Sequence, residues 1–393
     1  MPSFYGLLTF PFFYFLYCIN VFQYEEKNFE AQVIFLSVIF FFGASILFNF
    51  SNYRRLINNN YLEKKKTFNR LPVITYLLLI LFFVIGLFGV IKYVLDFSGY
   101  FGGIWLFFFL LVNDSAQIRI ATDMQSSIGF QLTYFAWFAA TFLFVDVKLK
   151  NLKGKYIFLS VLTFLLNLLF IDRTRPLTIL FTTLLMLFFM FFDTFKRKTL
   201  IRIFLITGIS LVSIFIIIGE WVGKVAQEGQ YGKTFLPPVF QTAALYGTSS
   251  FGYFNRIVEV ENAGNFNPER SLYPLQKILS SFHIVKVPPP QIIEFYFIPQ
   301  PVNVGTFLEP LYRDGGIFFC FLGILLHTFL FDFLGLYFIK NANRFTLYTL
   351  SILCFINFFA FFSPKFNSTP VWFFLVMGLI SVLYERIKYD LFK

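Results

Sequence analysis

Charged residues are scarce in this chain of 393 residues: Asp, Glu, Lys and Arg make up 13% of it, against roughly 25% in a soluble domain. A soluble fold of this length has no need of a composition that is 58% apolar and 23% aromatic. Cysteine is nearly absent as well. Cys18, Cys320 and Cys354 all stand inside apolar runs, which argues against a disulfide framework or a thiolate metal centre. Histidine is limited to His283 and His327. With no His/Asp/Glu set at metal-ligand spacing in the polar connections, no metal or other cofactor is expected. The apolar run 7–21 lacks a basic leader and a small-residue cleavage site, so it reads as a first span rather than a removed signal. No fixed-period repeat and no low-complexity linker is present.

What is there is a succession of long apolar runs. A span needs about 20 mostly apolar residues. On that rule spans are expected near 4–22, 31–50, 72–95, 128–146, 156–171, 176–193, 203–219, 316–339, 345–362 and 369–384. The expected fold is an all-α polytopic transmembrane bundle of about ten spans. The segment 102–112 is only half a span long and is expected to be a re-entrant or interfacial helix anchored by Trp105. It would bring Asn113, Asp114, Gln117 and Arg119 to the outer surface.

Basic residues set the orientation. Of the 32 Lys and Arg, 19 fall in alternate connections and the C-terminal tail, including Arg54, Arg55, Lys148, Lys196, Lys340 and Arg344. The opposite connections hold 15 of the 21 acidic residues. By the positive-inside rule both termini are then cytoplasmic. The net charge of +11 is in this sense a topological signal, and no nucleic-acid partner is expected. The chain divides into 1–219 with seven spans, an extracytoplasmic loop over 220–315, and 316–393 with three spans and a tail.

Two polar stretches interrupt the hydrocarbon. In the short outer turn between the fifth and sixth spans, Arg173 and Arg175 accompany Asp172 and precede Pro176, a tolerated helix starter. Either Asp172 pairs with an arginine at the interface, or the arginine forks form an anion site. The second stretch is the loop itself, which holds ten of the 16 prolines. A loop this long is functional or disordered, and its aromatic content argues against disorder. Its early part, Tyr246-Gly247-Thr248-Ser249-Ser250-Phe251-Gly252-Tyr253-Phe254-Asn255-Arg256, predicts two short amphipathic helices on the outer leaflet, broken at the Gly-Thr-Ser-Ser turn. Such a surface suits either sugar stacking or plain interfacial packing. Its end carries Asn303, Glu309, Tyr312, Arg313 and Asp314, read either as a helix-start ion pair or as a site. His283, flanked by apolar residues, is expected to be packed. His327 and Asp332 are intramembrane polar residues, but five apart they do not share one α-helical face.

At these residues the chain resembles the Wzy-type O-antigen polymerase family, the oligosaccharide repeat unit polymerases. The likeness lies in the span number, the arginine-bearing mid-chain turn, and a large outer loop before the last spans. Two local runs carry it: Tyr246 to Phe254, and Asn303-Val304-Gly305-Thr306 followed by Tyr312-Arg313-Asp314-Gly315-Gly316. The resemblance implies a glycosyltransferase of the bacterial inner (cytoplasmic) membrane, acting in lipopolysaccharide O-antigen or capsular polysaccharide biosynthesis. It would join glycans carried on polyprenyl (undecaprenyl) diphosphate at the outer face, with a chain-length regulator as a further partner. Diphosphate leaves readily, so the demand is for cations on phosphate oxygens and a carboxylate that orients or deprotonates the acceptor hydroxyl. Arg173, Arg175 and Arg313 would meet the diphosphate, with Arg256 and Arg119 in support, and Asp314 or Glu309 would be the base. Asn303, Tyr312, Tyr246 and Tyr253 would contact the glycan. An O-antigen ligase using His283 is the neighbouring alternative. A lipid-linked-oligosaccharide flippase is the alternative of another class, and it should show charged spans and two-fold repeats.

Overall fold

The computed structural model describes residues 1–22, 24, 27–56, 71–114, 118, 128–170, 174–191, 202, 213, 238–261, 266–289, 296–298, 301–302 and 304–391. The described helices are α1 (Pro2–Cys18), α2 (Phe29–Leu56), α3 (Val73–Tyr100), α4 (Ile104–Asn113), α5 (Ile128–Lys148), α6 (Ile157–Asn167), α7 (Thr174–Phe191), α8 (Pro238–Val260), α9 (Tyr273–Ser281), α10 (Glu309–Leu325), α11 (Phe331–Lys340), α12 (Arg344–Phe358) and α13 (Thr369–Leu391). A two-residue antiparallel ladder, Tyr296–Phe297 against Pro301–Val302, is the β-structure among the described residues. A π-type turn over Leu326–Leu330 joins α10 to α11.

Among the described residues, four helices are long and apolar enough to cross a membrane: Phe29–Arg55, Val73–Tyr100, Ile128–Lys148 and Glu309–Lys340. Every expected span falls at least in part on a described helix except 203–219, of which residue 213 alone is described. Several of these helices are shorter than a full span, α12 and the apolar part of α13 among them. The half-length segment expected at 102–112 is helix α4. The chain enters it through Gly102 and Gly103 at φ 84° and 141°, a backbone region open to glycine and closed to most side chains.

Two compact units divide the chain, 1–63 with 226–393, and 64–225. They cut across the sequence segments, because the first two helices pack with the loop and the final helices. In the 64–225 unit α3 lies tightly on α5. A Cβ on Gly86 would overlap the Cβ of Ala136, and one on Gly89 would sit 2.7 Å from the Gly129 carbonyl oxygen. Small residues let two helix backbones approach closely where no hydrophobic effect drives them together. Trp137 Nε1 donates to Asn167 Oδ1 at 2.5 Å and links α5 to α6.

In the other unit, α8 overturns the expectation of two helices lying on a surface. It is one continuous helix through the Gly-Thr-Ser-Ser run. Its residues Ala244, Thr248, Phe251, Asn255 and Val258 follow the helical period and are all buried. The Phe251 ring lies 5.0 Å from both Phe10 and Phe35 and 5.8 Å from Tyr17. The small residues do not break the helix; they admit neighbours. Gly247 faces the Phe13 ring, and Ser250 Oγ donates to the Phe361 carbonyl at 2.6 Å. Thr248 Oγ1 meets Tyr24 Oη at 2.5 Å.

The two ends of this unit differ in charge. Asp332 accepts from Ser3 N at 3.0 Å and Ser45 Oγ at 2.8 Å, and Tyr53 Oη donates to the Asp332 carbonyl at 2.9 Å. Arg54 and Arg55 close α2 on this side, and Lys340 and Arg344 flank the following turn. At the other end of α2, about 40 Å away for a helix of 28 residues, Asn28 N donates to Asn255 Oδ1 of α8 at 2.7 Å.

Candidate functional site

The site grows from the start of α10. Thr306 accepts from Glu309 N through its carbonyl at 3.1 Å, and Pro310 occupies the first turn, where its missing N–H costs nothing. The turn ends at Gly315 and Gly316, both non-helical, with Gly316 at φ 62°. The apolar, spanning part of the helix therefore begins after Gly316, and residues 309–314 form a separate turn ahead of it. On that turn Glu309 and Arg313 stand one helical turn apart, facing the same way.

Arg313 is the centre. Its side chain is only 5% exposed, with Nη1 2.8 Å from Glu261 Oε1 and Nε 2.8 Å from Glu309 Oε1. The Nε approach is close but not aligned as a hydrogen bond, so that contact is electrostatic. Nη2 donates to Tyr253 Oη at 3.4 Å. Tyr296 Oη donates to Glu261 Oε1 at 3.3 Å, and its ring lies 5.4 Å from that of Tyr253. Burial pushes the Tyr253 phenol well above its ordinary range, with Arg313 acting the other way and both carboxylates adding to the rise. Gly305 makes room for Glu309: a Cβ there would lie 2.6 Å from the Glu309 Cβ and 3.3 Å from the Tyr253 ring.

Asp314 points elsewhere. Its carboxylate accepts from Arg270 N at 3.1 Å and Ser271 N at 2.6 Å, and its carbonyl accepts from Asn267 N at 3.1 Å. Three backbone amides hold it, and it in turn holds the 267–272 turn against α10. The Arg270 guanidinium acts electrostatically on both Asp314 and Glu309. Two carboxylates and the Arg313 guanidinium thus form one cluster, with Asp314 beside it holding the turn that carries Arg270.

The expected residues divide accordingly. Glu309, Arg313 and Tyr253 are brought together. Tyr312 is buried beside them on α10, its ring 5.7 Å from Phe254. Tyr246 lies two turns back along α8, half-buried, with its ring 6.2 Å from Phe362. Arg256 pairs with Glu259 at 2.8 Å on the outer side of α8. Arg119, Arg173 and Asn303 lie outside the described residues, as does the side chain of Arg175, whose backbone starts α7. Sequence reasoning missed Glu261, Arg270 and Tyr296. Glu261 follows directly on the C-terminal residue of α8, and an acid beyond an amphipathic stretch carries no signal of its partner.

Both histidines have structural surroundings. His283 is exposed, not packed as its apolar neighbours suggested. It follows α9 at φ 58°, with His283 N bonded to the Ser280 carbonyl and Ile284 N to the Leu279 carbonyl at 3.0 and 3.1 Å. That is a Schellman cap, with His at the position glycine usually takes. His327 lies among Phe307, Phe331 and Phe366. Asn357 Nδ2 donates to the His327 carbonyl at 2.9 Å, so its Oδ1 accepts from His327 Nδ1 at 3.0 Å. Asp332 bonds to α1 and α2 instead, so the two residues serve separate contacts. Among the described residues, no group of three His, Cys, Asp or Glu is placed to hold a metal ion. Comparison with protein-family models, with curated proteins and with solved structures finds no match.

Proposed function

We propose that this chain is a membrane glycosyltransferase that polymerises polyprenyl-diphosphate-linked oligosaccharide repeat units on the outer face of the bacterial inner membrane. The observation that carries this reading is the buried guanidinium of Arg313, shared between Glu309 and Glu261 and edged by the hydroxyls of Tyr253 and Tyr296. Glu309 is the base that takes the proton of the acceptor hydroxyl. The acceptor oxygen bonds to the anomeric carbon as the bond from that carbon to the diphosphate oxygen breaks. Arg313 and Arg270 stabilise the charge that develops on the departing diphosphate. The Tyr253 and Tyr296 hydroxyls stand beside this ion cluster as polar groups for the sugar. Asp314 holds the turn that carries Arg270 and is not the base.

The end of the bundle bearing Arg54, Arg55, Lys340 and Arg344 is cytoplasmic by the positive-inside rule. The carboxylate-rich end then faces outward, where no nucleotide sugars are available and a lipid-linked donor is required. Reporter fusions test this orientation. A periplasmic reporter fused at Asn262 or Pro289 is expected to be active, and a cytoplasmic reporter at the same positions silent. The opposite pattern would turn the site to the wrong face.

Removing the gene tests the reaction itself. The deletion strain is expected to keep surface glycan as single repeat units and to lose the long chains. Loss of the single-repeat form as well would point to the ligase or flippase reading instead. Complementation with Arg173→Ala, a substitution in the arginine-bearing turn of the sequence, is expected to leave chains short at normal protein level; full-length chains would show that polymerisation does not need Arg173.

A further inference from the structure

The segment that follows Asp314's turn carries a surface the site does not use. Along α9 the residues Leu275, Ile278, Leu279 and Phe282 recur at spacings of three and four and so share one helical face. Leu275, Ile278 and Phe282 are exposed. Beyond the Schellman cap, Ile284 and Val287 are exposed as well. Phe282 is 69% exposed and Val287 82% exposed, far more than a water-facing loop has reason to leave open.

Two further features indicate what covers this face. From Arg270 to Val287 the chain contains Arg270, Lys277 and Lys286 and no acid, in a unit end otherwise rich in carboxylates. The segment is also continuous with a surface already exposed on a spanning helix. Phe266, just ahead of it, packs 6.0 Å from Phe318 and 5.7 Å from Phe319. Phe318 is itself exposed, in the first turn of the apolar part of α10. An apolar stripe flanked by lysines, level with the start of a span, matches the chemistry of a bilayer surface: acyl chains below and anionic headgroups beside.

We propose that residues 273–287 form a monotopic foot. Leu275, Ile278, Phe282, Ile284 and Val287 sink into the headgroup–acyl boundary, and Lys277 and Lys286 lie against lipid phosphates. Through Ser271 and Arg270 the foot is bonded to Asp314, so membrane contact bears on the turn that carries Arg270. The proposal rests on the chain spanning a membrane and not on the glycan reaction, and the experiment below contains no glycan assay.

The test places a fluorescent nitrobenzoxadiazole label on Phe282→Cys, Val287→Cys and, as a control, Glu269→Cys, each in the full-length protein in nanodiscs. The unsubstituted chain, labelled in parallel, supplies the blank for Cys18, Cys320 and Cys354. Labels at 282 and 287 are expected to be quenched several-fold more strongly than the label at 269 by spin-labelled lipids, and to be shielded from aqueous iodide. Replacing anionic by zwitterionic lipid, or Lys277 and Lys286 by Gln, is expected to reduce the lipid quenching at 282. Iodide access at 282 and 287 equal to that at 269 would overturn the foot. Shielding from iodide without lipid quenching would overturn it too, assigning the face to another protein or a second copy of this chain. Phe282 and Val287 are exposed, so the substitutions leave the core untouched, and two independent positions guard against a local artefact.

Discussion

Arg313→Ala is expected to remove the long surface glycan and most of the folded protein with it. The side chain is 5% exposed and stands 2.8 Å from both Glu261 and Glu309. Its loss leaves two carboxylates close together without a counter-charge. Removing one member of a buried ion network costs about 3–5 kcal/mol, a large share of a total stability of roughly 5–15 kcal/mol. Arg313→Lys keeps the charge but loses the planar fork that reaches two carboxylates and a phenol at once, so an intermediate yield and short chains are expected. The triple variant Glu261→Gln, Glu309→Gln, Arg313→Met separates scaffold from chemistry. Neutral groups of similar volume replace a buried ion network at little or no cost to stability, so folded protein should return to the membrane. Glycan should stay at single repeats. Long chains in the triple variant would reduce Glu309 and Arg313 to scaffolding, and long chains at normal yield in Arg313→Ala would dispose of the site altogether.

The second large effect belongs to Asp332, at the opposite end of the same unit. One carboxylate oxygen accepts from Ser3 N and the other from Ser45 Oγ. Ser3 lies in the first turn of α1, where the helix dipole also favours an anion. Asp332→Ala leaves both donors buried without an acceptor, at about 1–3 kcal/mol each. Thermal unfolding in detergent should show a clear drop in midpoint, larger than that of Ser45→Ala, which deletes a single hydroxyl. Asp332→Asn keeps the volume and one acceptor and should fall between them. An unchanged midpoint for the alanine variant would mean that these contacts contribute nothing to holding α1, α2 and α11 together. Because the clasp is remote from Arg313, protein that survives Asp332→Asn should still extend glycan.

These two residues also show what was legible in the residues alone. Arg313 and Glu309 stand four apart on one turn, so their meeting follows from helical spacing. Glu261 does not follow from any spacing. It reaches Arg313 because α8 is drawn into the core by Phe251, and that depends on Phe10 and Phe35 from the other end of the sequence. The same fact explains why α8 is continuous. Gly247, Thr248, Ser249 and Ser250 look like a turn when read locally, since small hydroxyl residues favour turns in water. Inside a bundle their small size admits neighbouring rings and their hydroxyls find carbonyls, so the helix runs on. His283 is exposed for the converse reason: apolar neighbours imply burial only if a protein surface covers them.

By itself, the sequence determined that the chain carries apolar helices long enough to cross a membrane, four of them among the described residues. Runs of some twenty apolar residues leave the backbone no partner but itself, and a helix is what results. It also determined the asymmetry of charge between alternate connections, because those connections must end on one side or the other. Only the tertiary structure decided which charges meet. Glu261, Glu309 and Arg313 form one cluster, Asp314 turns away to hold the Arg270 turn, and Asp332 clasps the start of α1. An ion's partner is whichever group the packing of distant helices brings within a few ångströms, and that packing is settled by rings and small residues rather than by the charges themselves.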